Sequence, residues 1–225
     1  MSFLSIAIDG PAGAGKSTLA KRLAQKIDFL YVDTGAIYRT VGLFVEKNHK
    51  SCKNPSEVVP LLDEIQIRMT HEEDGMQHMF LLEEDVTEDI RQNRVSQYAS
   101  QVSQIPEVRN FLIDMQRALT KEHNVVMDGR DIGTIVLPNA DLKIFLTASA
   151  QKRAMRRYQE LVQKGSNVTY EQVLEELMQR DEADRNRSVA PLRQAKDAIL
   201  LDTSDLDLEE SLSALQSIVK EKLEL

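Results

Sequence analysis

The sequence predicts an α/β chain built on a parallel sheet of about five strands, with helices on both faces. Three observations predict it. Short apolar runs recur without internal alternation, as strands buried on both faces do. Helical patterns separate them. A glycine-rich octet, GPAGAGKS at 10–17, stands between the first run and the first helical pattern. That is the context a phosphate-binding loop requires.

Phe3 to Asp9 (FLSIAID) is the first buried-strand pattern. Gly10, Gly13 and Gly15 then let the backbone turn its N–H groups toward one point. Ser17 to Lys26 follows as a helix, with Leu19 and Leu23 on one face. Its N-terminus adds partial positive charge at the loop. Lys16 can reach outer phosphates, and the Ser17 hydroxyl can meet Mg²⁺.

Phe29 to Asp33 is a second strand, and Thr34-Gly35 opens a helix over 36–47. Asp33 and Thr34 can meet a sugar or base edge, with Arg39 a turn further on for a phosphate. Asp33 is equally well placed as a simple helix cap. Asn54-Pro55-Ser56 begins a short helix carrying Val58, Leu61 and Leu62. Residues 64–86 then alternate around Glu73-Asp74-Gly75, which predicts a hairpin in a small antiparallel sheet. Helical character resumes from Thr87, breaks at Ile105-Pro106 and returns over 107–123.

Val125 to Met127 is a third parallel strand, ending in Asp128. An apolar strand ending in Asp has the form of the second nucleoside-triphosphatase element that supports Mg²⁺. Arg130 and Asp131 follow it, able to bind a base edge and a phosphate or each other. Leu142 to Leu146 is the fourth strand. A basic helix over 148–164 ends at Gly165-Ser166-Asn167, and a charged helix spans 169–187. Ala198 to Asp202 is the fifth strand, and an amphipathic helix closes the chain over 208–223. Four strands end in acids: Asp9, Asp33, Asp128 and Asp202. In a sheet of this class ligands gather at those ends, so the four are expected around the loop.

Arg153, Arg156, Arg157, Arg180, Arg185 and Arg187 cluster on the two helices around residue 165, interleaved with acids. Alone they read as a solvated, ion-paired hairpin. Beside a phosphate loop they read as a lid that closes on a transferring phosphoryl group.

Composition narrows the function classes. A net charge of −8 over 225 residues excludes general attraction to nucleic acid or an anionic membrane, so phosphate binding must come from locally placed cations. Cys52 is the single cysteine, which excludes an internal disulfide or a cysteine-based metal site. His49, His71, His78 and His123 have no metal-ligand spacing, and Met76 and Met79 read as packing. No run has the length of a membrane span, and no leader pattern opens the chain. A cytoplasmic monomer is expected.

Together these segments resemble the bacterial cytidylate kinases, a family of nucleoside monophosphate kinases. The resemblance rests on IDGPAGAGKST at 8–18, DTGAIYR at 33–39, ASQVS at 99–103, DGRDIGT at 128–134 and RDEADRNR at 180–187. It implies a P-loop kinase fold and transfer of the γ-phosphoryl of ATP to CMP or dCMP, with Mg²⁺. Gly10, Pro11, Ala12, Gly13, Ala14, Gly15, Lys16, Ser17 and Thr18 would hold ATP, with Ser17 on the metal and Asp128 supporting it indirectly. Asp33, Thr34 and Arg39 would contact CMP. Ser100 and Asp131 would read cytosine, helped by Arg109 and Arg130. Arg180 and Arg187 would reach phosphates, and Asp184 the ribose. Lys16, Arg130, Arg156, Arg157 and Arg187 would carry the catalysis. The implied core is 1–34, 105–152 and 190–225. The monophosphate region would be 35–104, containing the inserted sheet, and the lid 153–187. Thr34 replaces a serine of some relatives and keeps the hydroxyl. Ala183 replaces an arginine, removing one lid charge.

Two other readings stay open on the residues alone. One is a kinase for another small acceptor. The other is a nucleotide-driven switch, although the guanine-reading Asn-Lys-x-Asp run is absent.

Overall fold

Hydrophobic runs too short for helices pair edge to edge, and the helical segments between them cover the two faces. The computed structural model describes residues 3–71 and 77–224. Its elements run β1 (Ser5–Asp9), α1 (Lys16–Ile27), β2 (Leu30–Asp33), α2 (Thr34–Lys47) and α3 (Pro55–Val58), the last continued by a 3₁₀ turn. Then come β3 (Ile67–His71), β4 (Gln77–Leu81), β5 (Glu84–Asp85), α4 (Asn93–Val102) and α5 (Pro106–Leu119). The chain finishes with β6 (Val125–Gly129), a π-helical turn (Ile132–Val136), β7 (Leu142–Thr147), α6 (Ala150–Gln163), α7 (Tyr170–Asn186), β8 (Ile199–Asp202) and α8 (Leu208–Leu223).

The main sheet is five-stranded and wholly parallel, in the order β2-β6-β1-β7-β8. β1 is its central strand, and alternate residues serve two cores. Ile6 and Ile8 pack with Leu19 and Leu23 of α1 and with Leu212 and Leu215 of α8. Ala7 packs on the other face with Val32, Met127, Ile132 and Val136. The strand therefore reads as a continuous apolar run because both its faces are covered.

Two further apolar clusters flank the sheet. One joins Ile37, Val41, Met79, Val95 and Leu112 of α2, β4, α4 and α5. The other joins Ala12 of the loop to Ala154, Leu161, Val173 and Leu177 of the α6/α7 hairpin. Tyr158 and Tyr170 meet edge to face across that hairpin. Gln77 ties the smaller β3-β4-β5 sheet to the main one: its Oε1 accepts from the Asp33 N–H at 2.7 Å.

Several expected boundaries move. Thr87 does not start a helix. Its hydroxyl accepts from the Met79 N–H and its own N–H donates to Asp85, closing the β4–β5 edge. A 3₁₀ turn at Asp89–Arg91 comes first, and α-helix begins only at Asn93, after an extended Gln92. β5 escaped the sequence reading because Glu84 and Asp85 are poor strand formers. Ser149 and Thr169 are caps rather than first-turn residues, and α5 ends at Leu119, not His123. The expected hairpin turn at Glu73-Asp74-Gly75, with Met76, lies outside the described residues.

Candidate functional site

The loop leaves the C-terminal end of β1 and turns through left-handed backbone at Gly13 (φ 70°) and Gly15 (φ 87°). At Gly10 (φ 154°) a Cβ would sit 1.9 Å from the Leu146 carbonyl oxygen, so only glycine passes there. Gly15 occupies the N-cap of α1 and offers no side-chain cap. The first N–H groups of that helix are therefore left to an anion. Lys16 is buried, and its Nζ donates to the Pro11 carbonyl at 2.8 Å. Burial, then Arg130, pushes Lys16 down to about 7. Ser17 and Thr18 are exposed at the same helix end.

Three strand-end carboxylates stand beside the loop. Asp33 and Asp128 are register partners on β2 and β6. Asp128 is buried and accepts from the Tyr31 hydroxyl at 2.9 Å; burial and then Asp33 push it up to about 7. Asp9 accepts from the Ile132 and Gly133 N–H groups, each at 2.8 Å, so it caps the π-helical turn after β6. Asp202 does not join them. It lies at the sheet edge, where its carboxylate accepts from Ser204, because β8 is two strands from β1.

Asp9 yields a pH prediction. Burial raises it from 3.8 to about 6, against the two N–H groups and Lys16. Between those values the unfolded chain gives up its proton first, so this group's contribution to folding stability falls as pH rises through that window. The full drop is on the order of 3 kcal/mol. Asp9→Asn cannot ionise, so the stability gap between wild type and variant should narrow from pH 4 to pH 6.5 in urea titrations. A gap that stays constant would mean that Asp9 keeps one protonation state across the window.

At the end of β2, Asp33 caps α2 by accepting from the Ala36 N–H at 2.9 Å and also holds Arg39 at 2.7 Å. The cap reading and the binding reading thus share one side chain. Thr34 Oγ1 donates to the Asp128 carbonyl at 2.8 Å. Asp131 lies between two guanidiniums, paired with Arg109 and, at 3.1 Å, with Arg187. Arg109 stands 5.6 Å over the Tyr38 ring. Arg130 is held by Asp184 at 2.8 Å. Asp184 is kept below the usual carboxylate range: burial opposes its charge, but Arg130 and Arg180 outweigh it. Ser100 is half-buried, and its carbonyl accepts from the Ser103 hydroxyl.

Arg180 is the exception in this network. Its Nε is enclosed without a hydrogen-bond partner among the described residues, and so is that of Arg39. Burial, then repulsion from Arg130, lowers Arg180 to about 10; Asp184 opposes the shift, and Arg39 and Arg157 add to the repulsion. Several cations thus converge with too few acids, an arrangement that an anion would relieve.

Three other arginines of α6 face elsewhere. Arg157 bridges Glu160 and the Asn93 side chain. Arg156 donates to the Thr203 and Leu206 carbonyls beyond β8. Arg153 is buried against Asp181. The roles of Asp9, Tyr31 and Gln77 were missed in the sequence, because each acts on a residue far away in the chain. Asp9 alone left a signal, as the acid between a buried strand and the loop.

Mg²⁺ fits this donor set. The Ser17 hydroxyl and the Asp128 and Asp33 carboxylates are hard oxygen donors, of the kind Mg²⁺ takes together with phosphate oxygens and water. Among the described residues no group of three or more His, Cys, Asp or Glu forms a dedicated metal cage. The nucleotide would therefore have to supply ligands as well.

Comparison with known proteins agrees with the geometry. A solved structure of an uncharacterized protein from Eubacterium ventriosum shares the fold, with a TM-score of 0.54 at 13% identity, covering 96% of this chain and 98% of that one. A protein named cytidylate kinase from Caldicellulosiruptor bescii is 55% identical over 214 residues, which is 94% of this chain and 93% of that protein. Another of that name, from Carboxydothermus hydrogenoformans, is 49% identical over 97% of this chain and 98% of its own length. The family model described as cytidylate kinase matches residues 6–221. With a phosphate loop, an arginine-rich cluster beside it and this likeness along nearly its whole length, the chain belongs to the cytidylate kinase family.

Proposed function

We propose that the chain holds ATP on residues 10–18, holds CMP or dCMP on the acceptor face, and passes the γ-phosphoryl directly between them. The observation that carries the proposal is Arg180, enclosed, unpartnered at Nε and repelled by its cationic neighbours. Its one attracting acid, Asp184, is hydrogen-bonded to Arg130 and so is shared, which leaves an excess of cations that two phosphates would offset.

The acceptor phosphate oxygen attacks the γ-phosphorus, the bond to the β-phosphate bridging oxygen breaks, and ADP leaves. No covalent enzyme intermediate is needed. Lys16 and the free N–H groups of α1 neutralise the donor phosphates. Arg39, Arg130, Arg180 and Arg187 neutralise the acceptor and the charge that develops in transfer. Asp131 between two guanidiniums offers an acceptor for the cytosine amino group beside donors for its ring nitrogen and carbonyl. Ser100 adds to that edge, Thr34 and Asp33 lie toward the sugar, and Asp184 toward the ribose. Mg²⁺, held by Ser17 and supported by Asp128, would neutralise the charge of the phosphate oxygens.

In this reading residues 35–104 bind the monophosphate, and 153–187 form the lid that excludes water. Arg157 and Arg156 enter the site only as that lid closes. Among the described residues no helix is long and apolar enough to cross a membrane. A cytoplasmic monomer serving pyrimidine metabolism completes the proposal.

An ADP-release assay across CMP, dCMP, UMP, AMP and GMP tests it. Strong stimulation by the cytidine nucleotides alone is expected. ATP consumed equally with and without CMP would instead favour an ATPase or switch.

A further inference from the structure

We propose that Arg153 and Asp181 are positioning residues that couple occupancy of the ATP loop to the geometry of the acceptor site. This rests on the two-nucleotide reading above. The pair is a single buried unit, 2.7 Å across, with side chains 4% and 6% exposed. Between them the two side chains take both polar groups of one loop residue. Arg153 Nη1 donates to the Ala12 carbonyl at 2.7 Å, and Asp181 Oδ1 accepts from the Ala12 N–H at 3.2 Å. Arg153 Nε also donates to the Ala148 carbonyl at 2.8 Å, which fixes the guanidinium at the end of β7. The next loop residue is equally engaged: a Cβ on Gly13 would stand 3.2 Å from the Leu177 side chain and 3.4 Å from Arg153. The α6/α7 hairpin is therefore seated on the phosphate loop itself.

Helix α7 carries this contact to the other substrate. Asp184 lies about one turn beyond Asp181 and holds Arg130. Arg187 caps the helix and holds Asp131. Arg180 precedes Asp181 directly. A loop that settles around phosphates reorients the Ala12 peptide groups, and a rigid helix transmits that tilt to Asp184, Arg187 and Arg180. The chemistry of the pair fits this role better than a purely stabilising one. A buried ion pair is often no more stabilising than apolar residues of the same volume, but it fixes direction and register.

Coupling between nucleotides distinguishes the two roles. Calorimetric binding of CMP would be measured with and without the β,γ-imido analogue of ATP. Three proteins are compared: wild type, Asp181→Asn, and the double variant Arg153→Met/Asp181→Leu. In wild type the analogue should tighten CMP binding about tenfold or more. Both variants should fall below about twofold, with CMP affinity in the absence of analogue nearly unchanged. Variants that fold and keep the wild-type tightening would overturn the proposal, as would a wild type with no tightening. The double variant removes both charges together, so it folds if the pair is dispensable for stability. Failure of both variants to fold would make the pair structural and end the proposal. Phosphorylation of CMP by the same wild-type preparation shows separately that the two-nucleotide reading stands.

Discussion

Replacing Lys16 by alanine is expected to lower kcat by about three orders of magnitude while leaving the fold intact. One preorganised donor aimed at developing charge contributes about 10²–10³ in rate in a water-excluded site. In the proposed transfer Lys16 also faces the phosphoryl group as it passes, so the upper end applies. The fold should survive for a reason visible in the site. The Lys16 ammonium donates to the Pro11 carbonyl, and burial disfavours its charge strongly enough to bring it down to about 7. Removing it relieves a desolvation cost, so the melting temperature should hold or rise slightly. Steady-state kinetics with CMP, together with a thermal melt, check both halves. Near-normal turnover would remove Lys16 from the mechanism, and a collapsed melt would make it a structural residue.

Asp131→Asn is expected to raise the KM for CMP about a hundredfold and to leave the KM for ATP within about threefold. A specific base contact of this kind discriminates by about 1–3 kcal/mol. Here the carboxylate also orders Arg109 and Arg187, so both partners of the base edge loosen together. The preference for CMP over UMP should narrow, because the amino group that separates the two bases meets a weaker acceptor. Stability should fall by about 3 kcal/mol, since two buried guanidiniums lose their counter-charge. Saturation curves for both substrates, taken well below the melting point, separate recognition from unfolding. An ATP KM that rises with the CMP KM unchanged would place Asp131 on the donor side.

The strand, loop and helix of residues 5–27 were legible because their information is local. Strand, glycines, lysine and helix lie within residues 5–27, and each follows from periodicity or backbone freedom. The arginine and acid cluster beside it was legible as a set of residue types but not as an arrangement. Nothing near Asp131 in sequence says that it faces Arg109 and Arg187. Nothing near Asp202 says that it lies at the edge of the sheet, so it was expected with the other three acids. Arg153 shows the same limit. Its helix reads as a charged face, yet its side chain is buried, because Asp181 and Ala12 meet it from distant parts of the chain. The π-helical turn at 132–136 was invisible for a related reason. Its cap is Asp9, more than a hundred residues earlier.

The central place of β1 has a consequence for biosynthesis. Its neighbours are β6 and β7, and Leu4 and Asn124, which bond at the start of that pairing, are 120 residues apart. The opening strand must therefore wait on the ribosome until residues 125–147 emerge, while the segment around α2, α4 and α5 can gather its own core first. Pairings this distant in sequence slow folding and leave apolar surface exposed meanwhile. The phosphate loop, translated well before the strands that flank β1, is among the last parts of the protein to become functional.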